Sequence, residues 1–216
     1  MTGYRMTKLL VLALVTIGCL AAAPAGAQGM PAPDALAKSV TDEVLAIMRA
    51  DKEIQSGNLN KVVDLVDKKV LPHFDFTRMT QLAVGRHWQQ ATPEQQKQLV
   101  AEFRTLLVQT YAATFEAYRY QKIEYRPLRT EPADTDVVVK SLIHQSGGKP
   151  VAVDYKMRKT DTGWKVYDVV VGDLSLVQSY RGTFSTEVQK GGVEGLVKAL
   201  ADKNRQLTAE PQSARK

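Results

Sequence analysis

Apolar and polar residues alternate most clearly between positions 151 and 171 of this chain. In the first part of this stretch, four apolar residues alternate with small or polar neighbours. This period of two is typical of a half-buried strand, with the apolar residues facing inward. They are Val151, Val153, Tyr155 and Met157. A turn at Asp161-Thr162-Gly163 leads into a second strand, Trp164 to Val171, which is rich in β-branched and aromatic residues. The pattern predicts a β-hairpin with one apolar face.

Two further strands are predicted before this hairpin, from Lys122 to Leu128 and from Val137 to His144. A short turn at Ser146-Gly147-Gly148-Lys149 connects the second of them to the hairpin. Short connections imply antiparallel neighbours. We therefore expect an antiparallel sheet of about four strands over residues 121–171.

Helical spacing dominates residues 34–118. Asp34 is a candidate N-cap for a helix that ends near Ala50, and Asn58 is a candidate for a second. Thr92-Pro93-Glu94-Gln95 matches a capping box and predicts a long helix to about Tyr118. The apolar stripe of this helix suits a protein core, and its C-terminal half could also line a cavity.

Apolar and aromatic residues return to helical spacing after Gly172. These residues are Leu174, Val177, Tyr180 and Phe184. Gly191-Gly192 then interrupts the chain before a last helix from about Val193 to Leu207, and residues 211–216 form a polar tail that we expect to be disordered. Residues 28–210 are expected to form a single α+β domain.

The first 27 residues have the pattern of an export signal. Arg5 and Lys8 precede an apolar run, Leu9 to Ala23, and Ala25-Gly26-Ala27 is a suitable cleavage site. The run is shorter than the roughly 20 residues of a membrane span. Lipoprotein processing at Cys19 is the alternative, although Cys19 lies inside the apolar run. The pattern favours cleavage after Ala27 and a periplasmic protein.

Charge and cysteine content narrow the possible functions. Removing Arg5 and Lys8 with the signal lowers the net charge from +6 to +4, an excess that could favour anionic headgroups or acidic surfaces. Cys19 is the one cysteine, so the mature chain would hold no disulfide and no thiol nucleophile. We expect a monomer, and export makes nucleic acid an improbable partner.

Candidate chemistry is sparse in this sequence. The three histidines, His73, His87 and His144, lack the spacing of metal ligands, and no nucleophile or phosphate-binding motif is present. Asp168 is the one carboxylate that strand alternation places among inward apolar residues, where it could act as a base. The structural alternative is a hydrogen bond to a backbone amide or a tyrosine near the end of the sheet, or a bulge that turns Asp168 outward.

Two blocks of sequence carry a resemblance to a known family. LPHFDFTRMTQLAVGRHWQQATPEQQKQLVAEFRTLLVQTY (71–111) and WKVYDVVVGDLSLVQSYRGTF (164–184) are similar to the periplasmic phospholipid-binding component of the Mla (maintenance of lipid asymmetry) system, also called the toluene-tolerance auxiliary family. The chain departs from the family pattern at Val171-Gly172-Asp173-Leu174, and at Leu99, where an aromatic residue is common.

This resemblance implies an NTF2-like cone, in which a curved sheet and helices enclose an apolar cavity for the acyl tails of a diacyl phospholipid. The implied partners are an inner-membrane ABC transporter with its membrane-anchored ring subunit and an outer-membrane lipoprotein–porin complex, and no cofactor is implied. Inward apolar and aromatic residues are the candidate lipid contacts. They are Leu106, Tyr111, Phe115, Tyr125, Val139, Val151, Val153, Tyr155, Met157, Trp164, Val166, Val170, Leu174, Val177, Tyr180 and Phe184.

Two other functions fit the same residues. One is an enzyme on an NTF2-like cone, with Asp168 as general base and Tyr155 or Tyr180 as hydrogen-bond donor to a developing oxyanion. The other is a periplasmic adaptor whose apolar groups only fill a core. The absence of a recognisable catalytic motif favours the lipid carrier.

Overall fold

The computed structural model describes residues 30–117, 120–131, 133–145 and 148–209. The export signal, the C-terminal tail, Tyr118 and the Ser146-Gly147 part of the predicted turn lie outside the described residues. Six helices and five strands are described. They are α1 (Pro33–Ala50), α2 (Lys52–Gln55), α3 (Leu59–Lys69), α4 (Phe76–Val84), α5 (Pro93–Ala117), β1 (Lys122–Tyr125), β2 (Asp136–His144), β3 (Val151–Thr160), β4 (Gly163–Val171), β5 (Leu174–Ser175) and α6 (Leu176–Ala209). Two 3₁₀ turns, Leu71–His73 and Gly85–Gln90, flank α4.

The five strands form one curved antiparallel sheet in the order β1-β2-β3-β4-β5, with helices on both sides. The predicted α+β class is therefore confirmed. The sheet has one irregularity that matters for the site. Lys156 pairs with Asp168 and Met157 pairs with Val166, so Tyr167 is an extra residue that forms a bulge in β4.

Local capping explains where most helices begin. The capping box is confirmed at α5, since the Gln95 amide donates to Thr92 Oγ1 at 3.2 Å and the Thr92 amide donates to Gln95 Oε1 at 3.0 Å. The Asn58 side chain caps α3. The prediction for Asp34 was wrong, because Ala32 is the N-cap of α1 and Pro33 is its first residue. The Asp34 carboxylate accepts instead from the amides of Ala35 and Leu128.

The chain after β4 differs from the expected helix at its start. Gly172 has φ +60° and turns the chain so that Leu174 pairs with Val171, which makes Leu174 a strand residue rather than a helical one. Helix α6 then begins at Leu176. Its predicted interruption is confirmed, because Gly191 and Gly192 have non-helical backbone angles.

Three clusters of buried side chains hold the layers together. The largest joins α4, α5 and α6, the second joins α1, α2 and α3, and the third joins the inner face of the sheet to α1. Phe74 packs against all three clusters. None of the helices in the described ranges combines the length and apolarity needed to cross a membrane.

Candidate functional site

An apolar cavity of about 530 Å³ lies between the inner face of the sheet and helices α1, α3, α4 and α5. This volume is within the range of about 300–1,000 Å³ that is common for small-molecule sites. Its wall is almost entirely aliphatic and aromatic, and no aspartate, glutamate, lysine or arginine of the described chain lines it. The cavity is therefore suited to an apolar ligand.

One end of the cavity is open and the other is closed. Five lining residues are solvent-exposed and form the open end, which we call the mouth. They are Tyr111, Thr114, Val171, Leu174 and Ser179. Met79, Met157 and Val166 line the cavity farther along the β3–β4 hairpin, with at most 5% of each residue exposed, and we call this buried part of the wall the closed end. Val153 pairs with Val171 and Met157 pairs with Val166, so the two ends are about 13 Å apart along β3.

The structure places fourteen of the sixteen candidate residues in one of two environments. Seven line the cavity, namely Tyr111, Val151, Val153, Tyr155, Met157, Val166 and Leu174. Seven others pack in the core clusters, namely Leu106, Tyr125, Val139, Trp164, Val177, Tyr180 and Phe184. Val170 is half-buried outside the cavity wall, and the side chain of Phe115 is outside the described part of the molecule. Contact of any of them with lipid stays a prediction.

The bulge at Tyr167 explains the position of Val170. Strand alternation from Trp164 and Val166 would carry the inward face to Val170, but the extra residue reverses the alternation. Val169 and Val171 consequently line the cavity in its place. A bulge of this kind has no distinct signal in the β4 sequence.

On the long helix α5, different residues face the core and the cavity. Its main stripe, including Phe103 and Leu106, faces α6, where the Phe103 ring meets those of Tyr180 and Phe184 edge-on at 5.1 Å. The flank of the helix faces the cavity. It consists of Leu107, Val108, Tyr111 and Thr114.

Sequence reasoning missed the whole wall that α1 contributes. Leu36, Ala37, Val40, Thr41, Val44 and Leu45 all line the cavity. It also missed the residues around the first 3₁₀ turn and α4. These are Leu71, His73, Phe74, Phe76 and Met79. Periodicity identifies the buried face of a helix, but it does not distinguish a solid core from a chamber.

A chain of hydroxyl groups joins α1 to the sheet at one side of the cavity. The Tyr125 hydroxyl is 2.7 Å from Thr41 Oγ1 and donates to the Ala37 carbonyl at 3.3 Å, and the Tyr155 hydroxyl lies beside Tyr125 and Ser141. The Tyr125 and Tyr155 rings are stacked with centroids 6.4 Å apart. Burial raises the pKa of both tyrosines, and their proximity raises that of Tyr125 further. Both hydroxyls are therefore neutral and fix the position of α1.

These tyrosines make the stability of the protein sensitive to alkaline pH. Tyrosines ionise at about pH 10 in an unfolded chain. In the folded protein, burial raises the pKa of Tyr180 as it raises those of Tyr125 and Tyr155. The unfolded chain then releases protons that the folded protein keeps, so stability is complete below about pH 10 and falls above it. Each tyrosine that stays neutral contributes a slope of up to about 1.4 kcal/mol per pH unit.

Urea unfolding at a series of alkaline pH values measures this effect. Tyr155→Phe should reduce the loss of stability above about pH 10. Tyr120→Phe, which makes the same change at an exposed side chain, is the comparison variant. An identical alkaline profile for Tyr155→Phe and the unsubstituted protein would contradict this assignment.

His73 is the one ionisable residue other than tyrosine in the described cavity wall. Burial lowers the pKa of His73, and the nearby Lys165 lowers it further, while Glu43 raises it. The imidazole is therefore neutral at neutral pH. A neutral His73 keeps this part of the wall without charge.

Asp168 lies outside the cavity wall and has a structural role at the start of α6. Asp168 is 3% exposed, and its carboxylate accepts from the Ser175 hydroxyl at 2.8 Å and from the Val177 amide at 3.2 Å. Lys156 forms an ion pair with it at 3.1 Å. Asp168 thus binds the first turn of α6 to β4, where the helix dipole favours a negative charge. This geometry does not suit a base acting on a ligand in the cavity.

The fold and the cavity together define an α+β protein in which a curved sheet and several helices surround an apolar cavity with a solvent-exposed mouth. The family model of the MlaC protein matches residues 38–202, well over half of the chain. The chain belongs to the MlaC family. The resemblance seen in the two sequence blocks is confirmed.

Two curated relatives extend this finding. The chain is 24% identical over 174 residues to "Toluene tolerance protein ttg2D" of Pseudomonas putida, with 80% of each chain covered. It is 21% identical over 168 residues to "Intermembrane phospholipid transport system binding protein MlaC" of Haemophilus influenzae, with 76% of this chain and 78% of the relative covered.

A solved structure is more similar in sequence. It is the phospholipid-binding protein of Ralstonia solanacearum in complex with a phospholipid, which is 45% identical to this chain. The match has a TM-score of 0.74 and covers 81% of this chain and 98% of that one. This chain is thus similar over nearly the full length of a protein that was solved with a phospholipid bound.

Proposed function

We propose that this protein is a phospholipid carrier that holds acyl chains in its apolar cavity. The observation that carries this proposal is the 530 Å³ apolar cavity with an exposed mouth, in a chain 45% identical to a protein solved with a phospholipid. The aliphatic and aromatic wall suits acyl chains, and the open end gives a polar headgroup access to water. The MlaC family of this chain supports the same function.

Transfer of a phospholipid through water explains why such a carrier is needed. Exposing about 30 methylenes at roughly 0.8 kcal/mol each would cost on the order of 24 kcal/mol, so spontaneous desorption is very slow. A protein chamber that covers these methylenes lowers this cost without any chemical reaction. The structural role of Asp168 is consistent with a carrier rather than an enzyme.

We place this carrier in the periplasm, with lipid passing between an outer-membrane lipoprotein–porin complex and an inner-membrane ABC transporter with its membrane-anchored ring subunit. The export pattern of residues 1–27 and the names of the relatives support this proposal. Transport between membranes requires a carrier that leaves each of them after exchange.

Lipid transfer between vesicles tests the proposed function. Donor vesicles that contain a fluorescent phosphatidylethanolamine are mixed with unlabelled acceptor vesicles, and the mature protein is then added. We expect an increase in the transfer rate that is proportional to protein concentration. A folded protein that binds lipid but produces no acceleration would show that it stores lipid rather than carrying it.

Headgroup selectivity should be weak. The cavity wall has no charged carboxylate, ammonium or guanidinium group in the described residues, so the acyl chains contribute most of the affinity. Phosphatidylethanolamine and phosphatidylglycerol with identical chains should therefore differ less than about tenfold in affinity, or about 1.4 kcal/mol. Competition for the delipidated protein measures this ratio, and a larger preference would indicate a polar clamp at the mouth.

A further inference from the structure

Phe74 borders the closed end of the cavity and joins three parts of the protein. Phe74 lines the cavity and packs against all three buried clusters. Its backbone lies beside β4, where it forms a bridge with Val166. The ring therefore lies where the helical layers and the sheet meet, opposite the mouth.

The position of Phe74 is fixed by several contacts on each side. The next amide, of Asp75, donates to the Val166 carbonyl at 2.8 Å, and the Phe74 ring is stacked on Phe76 with centroids 5.9 Å apart. The Asp75 carboxylate forms an ion pair with Arg158 at 2.7 Å and accepts from the Arg78 amide at 2.9 Å. The backbone and ring of Phe74 and the side chain of Asp75 are thus all held in place. Phe74 therefore forms a rigid boundary of the cavity.

The residues beside this boundary are more adaptable. Met79 and Met157 are both fully buried and both line the cavity at its closed end. Methionine side chains have three rotatable bonds and fill irregular gaps. The closed end therefore combines a rigid ring with two flexible side chains.

We propose that Phe74 is the end wall of the cavity and sets the length of the acyl chain that the protein accepts. This inference rests on the proposed function. An acyl chain that enters at the mouth and follows β3 meets Phe74, and Met79 and Met157 adjust to small differences in chain length. Methylenes that do not fit between the mouth and Phe74 stay outside the cavity. Each of them lowers the affinity of the protein for the lipid about fourfold.

Two substitutions at this end should shift the preferred chain length in opposite directions. Phe74→Leu removes part of the wall and should move the preference by about two methylenes toward longer chains. Val166→Leu adds a methylene to the wall and should move it toward shorter chains. Phe103→Leu is the matched control, because Phe103 is fully buried in the core but does not line the cavity.

The experiment offers each delipidated protein an equimolar mixture of dilauroyl, dimyristoyl, dipalmitoyl and distearoyl phosphatidylglycerol. Mass spectrometry of the bound lipid then gives the chain-length profile, and circular dichroism establishes that each variant is folded. We expect Phe74→Leu and Val166→Leu to shift the profile in opposite directions while Phe103→Leu retains the profile of the unsubstituted protein.

The outcomes separate this inference from the proposed function. If the variants bind lipid with unchanged profiles, or if Phe103→Leu shifts the profile equally, Phe74 is not the end wall and the carrier function stands. If the unsubstituted folded protein binds none of the four lipids, the proposed function itself fails. If Phe74→Leu does not fold, Val166→Leu still tests the inference. An unchanged chain-length profile in the folded Val166→Leu protein then overturns the inference and leaves the proposed function in place.

Discussion

Val153→Asp is expected to remove bound phospholipid from the protein while the fold is retained. Val153 lines the cavity on β3 with 6% of its surface exposed. An aspartate there would lie unpaired on an apolar wall, where it either remains charged at a large cost or takes up a proton. Both states disfavour acyl chains beside it, so lipid recovered from detergent-free protein should fall by more than about tenfold.

The neighbouring position provides a matched control for this substitution. Ala152 is exposed on the same strand and does not line the cavity. Ala152→Asp introduces the same carboxylate on the opposite face of the sheet. This variant should retain bound lipid and transfer lipid between vesicles. Circular dichroism must show that both variants are folded. A folded, lipid-loaded Val153→Asp protein would contradict the assignment of this wall to the acyl chains.

Asp168→Ala is expected to destabilise the protein by about 2–4 kcal/mol. The substitution leaves the Ser175 hydroxyl, the Val177 amide and the Lys156 ammonium without their shared carboxylate. Chemical unfolding measures the loss. Asp168→Asn retains an acceptor oxygen and should lose less stability, and its lipid binding and transfer should remain close to those of the unsubstituted protein.

Asp173 serves as the control for this prediction because it is an exposed aspartate in the turn between β4 and β5. Asp173→Ala should change the free energy of unfolding by less than about 0.5 kcal/mol. If the unsubstituted protein converted a bound ligand chemically, and a folded Asp168→Asn protein bound that ligand without converting it, Asp168 would be acting in catalysis. Such a result would contradict its structural role.

Four of the five strands, the long helix and the family could be predicted from local patterns. Strand β3 alternates up to a turn that contains Gly163, and the capping box at Thr92 requires only residues within one helical turn. These features depend on neighbours in the sequence, which is why periodicity identifies them. Asp34 failed as an N-cap because Pro33 is itself suited to the first helical position.

The shape of the cavity could be predicted only in part, because it depends on how separate elements meet. Tyr180 and Phe184 have the apolar character expected of a cavity wall, yet both pack against Phe103 in the core. The bulge at Tyr167 exchanges Val170 for Val169, and nothing in the local pattern indicates it. Tertiary packing decides which apolar residues enclose space and which fill it.

Mass spectrometry of an organic extract tests the central claim most directly. The mature protein is purified without detergent, shown to be folded by circular dichroism, and extracted, and the extracted lipid is quantified against protein. We predict diacyl phospholipid at about one molecule per chain, held by the apolar cavity between the sheet and the helices. A folded protein that yields no phospholipid, or yields a polar metabolite in its place, would contradict the account.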